Sequence, residues 1–342
     1  MGHEPVIGVV TNPLSGKNRR NPGRLRELER AVGRHGVVKQ TRDLDELAIV
    51  LREFGELGCA YWVCDGGDGT LHWMLSTASR IAKDGRDPWP AIVPANGGSI
   101  DFVAHKAGIR GQAVDVIHEL VACIERGETP ETLELDTMRI TAEGSDGPVE
   151  RIGFAAALGG VAARFFGKLY ERDHVDAWGI VDVLAKSAAG GLAGTAWGPL
   201  RRVLVPSWQR YADEVFEPTH AVVELDGREL SYDSFASLQV GSIDISLGGV
   251  VRTFRHARQR GVLHAQAIST SRAGVVANLP NIVLGTPIWG SKVFDGPASV
   301  LRAEAKGREP LEPVIDGEVV AGLRRLEVTR GPAVRVPAVC TH

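Results

Sequence analysis

The string Cys64-Asp65-Gly66-Gly67-Asp68-Gly69-Thr70 constrains this chain more than any other feature. It separates an apolar run, 61–64, from a helix-prone stretch, 70–83, so a buried strand must turn sharply into a helix there. Adjacent glycines let backbone N–H groups approach phosphate oxygens closely, and the helix N-terminus adds partial positive charge. Two aspartates in such a loop repel an anion unless a cation intervenes or hydrogen bonds organise them. The first alternative implies magnesium; the second is a tight turn in which Asp68 caps the helix.

The same texture recurs around it. Residues 6–10 read as a strand, Asn12-Pro13-Leu14-Ser15-Gly16-Lys17 as a loop, and 22–35 as an amphipathic, Arg-rich helix. Helices are expected over 46–55 and 114–126, and a strand at 91–93 runs into a turn at 94–99. Strands alternating with helices imply parallel strands and crossover helices, so residues 1–132 are expected to form a doubly wound α/β domain. Ligands of such sheets bind at the carboxyl edge, where both glycine-bearing loops fall. The first loop lacks the spacing of a Walker loop.

Beyond Pro130 the elements shorten and turn β-prone: 135–141, 149–154, 220–225, 237–240, 263–268, 299–305 and 326–329 read as strands, with Asp226-Gly227 as a hairpin signal. Residues 133–342 are therefore expected to form a mainly β domain. It carries an apolar helical insertion over about 161–215, and its C-terminal residues are free to return onto the first domain. The length of 342 residues suits two domains of about 150 each.

Forty-two acidic against 39 basic residues give a net charge of -3, which excludes a global positive field for nucleic acid or an anionic membrane. Cys59, Cys64, Cys123 and Cys340 match neither zinc-ligand spacing nor a disulfide scaffold, which suits a reducing cytoplasm. The N-terminus lacks the features of an export signal. The charge-free stretch 273–291 contains Asn278, Pro280, Asn281 and Pro287, so no membrane-spanning helix is expected there.

Taken in order, Asn12-Pro13-Leu14-Ser15-Gly16, Gly66-Gly67-Asp68-Gly69-Thr70 and Asp316-Gly317-Glu318 resemble the diacylglycerol kinase catalytic-domain family, which includes sphingosine and ceramide kinases. The resemblance covers nearly the whole chain. It implies an α/β domain and a C-terminal β-sandwich with a nucleotide cleft between them, where ATP donates its γ-phosphate to a lipid hydroxyl. It places Asn12, Ser15, Thr41, Gly66, Gly67, Asp68, Gly69 and Thr70 on the nucleotide, and Asp68, Asp101 and Asp136 around magnesium. Asp316 would be the base that takes the acceptor proton, with Glu318 orienting it. Read by itself, Asp316-Gly317 is a hairpin turn.

One loop departs from the family pattern of Pro, any residue, Gly-Thr, any residue, Asn-Asp-Phe. Here Pro94-Ala95-Asn96-Gly97-Gly98-Ser99-Ile100-Asp101-Phe102 is one residue longer and has Ile100 before Asp101. Asn96, Gly97 and Ser99 would then supply the nucleotide contacts. The partners implied are ATP and a membrane lipid, met by transient contact with the membrane surface and without nucleic acid. The apolar segment 179–206 offers either an interfacial surface or packing helices, including those of a homodimer. The rival readings are an NAD-kinase-like small-molecule kinase, which shares the Gly-Gly-Asp-Gly-Thr loop, and a nucleotide-binding regulator that has lost catalysis.

Overall fold

The computed structural model describes residues 6–82, 89–145, 147–170, 179, 182–183, 185–187, 189, 206–247 and 249–339. Most of the apolar segment 179–206, and Cys340, lie outside the described residues. The chain divides into two units, one of residues up to 137 together with those from 332 on, the other running from Met138 to Gly331.

The first unit is built on four parallel strands, β1 (Val6–Thr11), β2 (Gly36–Gln40), β3 (Cys59–Asp65) and β4 (Ala91–Pro94), in the order β2-β1-β3-β4. Helices α1 (Arg24–Val32), α2 (Leu44–Glu56), α3 (Asp68–Ile81), α4 (Phe102–Lys106) and α5 (Ala113–Glu125) connect and cover them. The chain moves one way from β1 to β2 and the other way from β2 to β3, so right-handed crossovers place α1 and α2 on opposite faces. Accordingly α1 packs with α5 and α2 with α3. β1 and β3 are sandwiched between these layers, and Ile7, Val9, Val10 and Val63 are fully buried.

One expected strand, 135–141, is two. β5 (Thr132–Leu135) belongs to the first unit and β6 (Met138–Gly144) to the second, and the break falls where the chain passes between units. β5 pairs antiparallel with β21 (Val334–Pro337), while the Thr137 hydroxyl donates to the Pro332 carbonyl.

The second unit is a two-sheet β structure. One sheet runs β10 (Arg228–Glu229), β9 (Thr219–Leu225), β17 (Leu301–Ala305), β20 (Leu323–Arg330), β6 and β7 (Gly147–Gly153), and β11 (Ser234–Phe235) also pairs with β9; the other runs β16 (Val293–Ala298), β15 (Leu263–Ile268), β12 (Ser237–Gly241), β8 (Ala155–Gly160), β18 (Val314–Ile315) and β19 (Glu318–Val319), while β13 (Ile245–Leu247) and β14 (Val251–Thr253) pair as a separate hairpin. Alternate residues of both sheets, among them Val223, Leu238, Ala265 and Leu326, meet in one core. The helix α6 (Val161–Tyr170) and the helix Pro206–Val215 lie within the expected insertion. No helix among the described residues is long and apolar enough to cross a membrane.

Candidate phosphate-binding site

Strand order reverses between β1 and β3, and open α/β sheets bind ligands at the carboxyl edge beside such a switch point. The loops 12–17 and 66–67 leave the sheet there, with the loop 95–101 after β4 alongside. Asp65, at the end of β3, is completely buried and joins two of them. Its carboxylate accepts from the Thr11 hydroxyl at 2.7 Å, from Asn18 Nδ2 at 3.0 Å, and from Arg24 Nη2 and Nε at 2.7 and 3.2 Å. Its carbonyl accepts from Asn12 N–H at 3.2 Å. A two-pronged Arg–carboxylate contact fixes geometry as well as charge. Sequence reasoning missed this hub; a carboxylate ending an apolar strand, with an Arg-rich helix following the neighbouring strand, was the available signal.

The glycines of the two inner loops lie against each other. A Cβ built on Gly67 would come within 2.8 Å of Gly98 Cα, one on Gly98 within 2.4 Å of Gly67 Cα, and one on Gly97 within 2.7 Å of Gly66 N. Gly66-Gly67 and Gly97-Gly98 are thus in backbone-to-backbone contact, which no side chain permits. The longer third loop is what supplies the second glycine pair. The first loop is tied to the third by Ser15 Oγ donating to Gly97 O at 3.2 Å, and by Lys17 Nζ reaching Asn96 O at 2.7 Å and Asp101 Oδ2 at 3.0 Å.

Each expected residue can now be placed. Asn12 accepts from Leu14 N–H and donates from Nδ2 to Thr70 Oγ1 at 3.1 Å, joining the first loop to α3. Thr41 is buried just past β2, and its N–H donates to Thr11 O. Asn96 is buried with a left-handed φ of 52°, and its Nδ2 donates to Ile109 O and Gly111 O. Ser99 is exposed beside Gly16. Gly69 lies in the first turn of α3, where N–H groups have no helical acceptor and can meet an anion.

The carboxylates do not assemble as a metal site. Asp68 accepts from Phe102 N–H and Val103 N–H, both at 3.1 Å, and so caps α4 rather than the helix it begins. Asp101 accepts from Gly98 N–H at 2.9 Å and pairs with Lys17. Asp136 is buried just past β5. Among the described residues no group of three or more His, Cys, Asp or Glu side chains could hold a metal ion. Asp68 and Asp101 thus spend part of their acceptor capacity on backbone amides. Nearby, burial and then the charges of Asp65, Asp101 and Asp68 push the Cys64 thiol far up, keeping it protonated.

In the second unit Asp316 and Gly317 form the two-residue turn between β18 and β19, with φ of 47° and 94°. Positive φ at both positions is the hairpin geometry that Asp-Gly favours. The Asp316 side chain is buried, accepting from Phe154 N–H at 3.0 and 3.1 Å and from Ala155 N–H at 2.8 Å. Glu318 is half-buried.

A doubly wound sheet with paired glycine loops and a helix N-terminus at its switch point is an arrangement able to receive an anion. Residues 6–130, within the first unit, match the family model of the diacylglycerol kinase catalytic domain. Among solved structures, a "putative diacylglycerol kinase" from Bacillus anthracis str. Sterne superposes with a TM-score of 0.61 at 14% identity, covering 98% of this chain and 99% of that one. A further structure of a diacylglycerol kinase from the same organism gives 0.55 at 14% identity, with 98% of each chain covered. Both show the fold alone. Yeast NADH kinase complexed with NADH is more distant, with a TM-score of 0.47 at 11% identity over 99% of this chain and 85% of that one. No curated protein matches the sequence.

Proposed function

We propose that the protein transfers the γ-phosphate of ATP to a hydroxyl of a membrane lipid. The observation that supports a lipid acceptor is an apolar cavity in the second unit, walled by Phe165, Phe166, Leu279 and Ile282, with two large exposed side chains beside it. Leu284 is 65% and Trp289 74% exposed, both within the charge-free stretch 273–291. Tryptophan and leucine so displayed suit the headgroup boundary of a bilayer, from which a lipid hydroxyl has to be drawn. Contact with the membrane is then transient and made through this surface.

On the donor side, the N–H groups opening α3 and the loop 12–17 receive the nucleotide phosphates, and the glycine pairs keep side chains out of their way. ATP as donor, with a divalent cation, is what the match of residues 6–130 to the kinase family model implies. Phosphoryl transfer is chiefly positioning and charge stabilisation, so the protein's remaining task is to take up the acceptor proton. Asp316 was the expected base, but its oxygens face the Phe154 and Ala155 amides. We assign proton uptake to the more accessible Glu318, and to Asp316 the holding of the hairpin that carries it.

The test is incubation with labelled ATP and magnesium against mixed micelles of diacylglycerol, monoacylglycerol, ceramide or sphingosine, with NAD in parallel. Label transferred to a lipid and not to NAD is expected. Label in NAD alone would replace this reading with the small-molecule kinase.

A further inference from the structure

β15 and β16 separate at one end of the inner sheet of the second unit. β15 stops at Ile268, and the chain turns through Ser269-Thr270-Ser271 into the helix Arg272–Ala277. Ser269 N–H still donates to the Lys292 carbonyl at 2.9 Å, just ahead of β16. With β11 and the chain that follows the helix Pro206–Val215, this turn encloses an open pocket of about 420 Å³. Small-molecule sites usually span roughly 300–1,000 Å³. The floor is the apolar cluster of Phe216, Ala236 and Val275. Phe216, Thr270 and Val275 also line the apolar cavity of the second unit, and so form the wall between the two spaces.

The rim has a different chemistry. Its polar side chains are Ser234, Ser269, Thr270, Ser271, Arg272 and Lys292, and among the described residues it holds no carboxylate. Ser271 Oγ accepts from Gly274 N–H at 3.2 Å, which leaves its own proton to be donated outward. Among the described residues no protein group bonds the side chains of Ser234, Ser269, Thr270 or Lys292. The carboxylates closest in sequence to Arg272 and Lys292, or paired with them, are engaged. Asp213 pairs with Arg272. Asp295, three residues past Lys292, accepts from His264 Nε2, Ile288 N–H, Gln266 Nε2 and Arg255 Nη1. Burial pushes this carboxyl up, but those hydrogen bonds outweigh it and hold it well below the usual carboxylate range. Lys292 is thus left with a charge that no lining side chain neutralises.

Charge, donors and floor narrow the ligand. A ring of donors around an uncompensated ammonium selects an anion. A carboxylate offers two oxygens, whereas a phosphate monoester offers three and carries up to two charges, so it can meet an ammonium, a guanidinium edge and hydroxyls together. Arg272 spends one of its N–H donors on Asp213 and keeps others for this purpose. The apolar floor then covers the carbon group of the ester. We propose that this pocket binds a small phosphate monoester, its oxygens held by Lys292, Arg272 and the hydroxyls of Ser269 and Thr270, its carbon group resting on Phe216. The site is built of side chains of the second unit, unlike the backbone loops of the first, and does not depend on the kinase reading. A lipid phosphate headgroup presents the same chemistry as a soluble ester, and the experiment separates the two sources.

The experiment is titration calorimetry of the whole chain with phenyl phosphate, inorganic phosphate and benzoate. Phenyl phosphate is expected to bind at least about tenfold more tightly than benzoate, which has the same ring and one acceptor oxygen fewer; this is the scale of one hydrogen bond to a charged group. It should also bind more tightly than inorganic phosphate, which leaves the floor bare. Lys292→Ala should weaken phenyl phosphate by about tenfold or more while circular dichroism shows an intact fold, and Lys292→Arg should keep affinity within a few-fold of the parent. Gly98→Ala, which disturbs the loops of the first unit, should leave this binding unchanged. Sedimentation with phosphatidylcholine vesicles containing phosphatidic acid supplies the lipid arm: pelleting that Lys292→Ala abolishes makes the ester a headgroup, and its absence makes it a soluble one. No binding of phenyl phosphate, no preference for it over benzoate or inorganic phosphate, undiminished binding by folded Lys292→Ala, or loss of binding in Gly98→Ala would overturn the proposal. Label transfer from ATP to lipid has no part in these readouts, so failure of the kinase reading leaves them standing.

Discussion

Replacing Arg24 with leucine tests whether the first unit's loops are held by the Asp65 hub. The guanidinium makes two hydrogen bonds to a carboxylate with no exposure of its own, and Arg24 is itself nearly buried. Thr11 and Asn18 still donate to Asp65 in the variant, but neither carries charge. Removing one partner of a buried ion pair costs about 3–5 kcal/mol because the other charge is left uncompensated. At roughly 2–4 °C per kcal/mol for a domain of 150–250 residues, the first unit should melt about 6–20 °C lower. Differential scanning calorimetry of the whole chain resolves this, and ATP affinity by titration below the new transition should also fall, because Asn12 hangs on the Asp65 carbonyl. Arg24→Leu with Asp65→Leu should recover part of the loss, since the orphaned charge is then gone. A single-variant transition within about 2 °C of the parent would refute the argument.

Gly98→Ala drives a methyl into Gly67 Cα and Asp101 Oδ1, and overpacking of this kind costs about 1–3 kcal/mol; thermal unfolding should show that loss together with weaker ATP binding, whereas parent-like values would separate the loops. Glu318→Gln should lower turnover by roughly a hundredfold at unchanged stability, the usual scale of a lost general base, while Asp316→Asn should chiefly lower the melting temperature of the second unit; the opposite pattern returns the base to Asp316. Asp295 has its pKa lowered on folding, so its contribution is present above the unfolded value near 4 and is lost as pH falls below it. Melting temperature should therefore drop more steeply below about pH 4 in the parent than in Asp295→Asn, and parallel curves would show that this carboxylate adds nothing.

The parallel domain was legible because hydrophobic runs, glycine loops and amphipathic helices alternate without interruption from Val6 to Glu125. The loops 12–17 and 66–67 were placed on one edge for the same reason: strand-to-helix loops of a parallel sheet share it. What the sequence hid was long-range pairing. Nothing local tells that Asp68 caps α4 or that Arg24 reaches Asp65, and a carboxylate beside a glycine looks the same whether it faces a ligand or an amide. The outward face of β15 was equally hidden, since Leu263–Ile268 reads as one strand and only tertiary packing buries both sides. The break at Asp136 was invisible because β5 and β6 are both β-prone, and the passage between units is not written in composition.

That passage has a consequence for synthesis. β5 is made before the second unit, but its partner β21 emerges only after Gly331, and Val334 and Val336 are almost completely buried while Trp89 Nε1 donates to the Ala333 carbonyl. On the ribosome the four-stranded sheet can therefore form early, yet the first unit stays unfinished until an entire second body has been translated, with the strand face that β21 covers exposed in the interval. A nascent chain of this design is most vulnerable to proteases and chaperone capture in its earliest-made part, and a late stop codon would wound the unit encoded first.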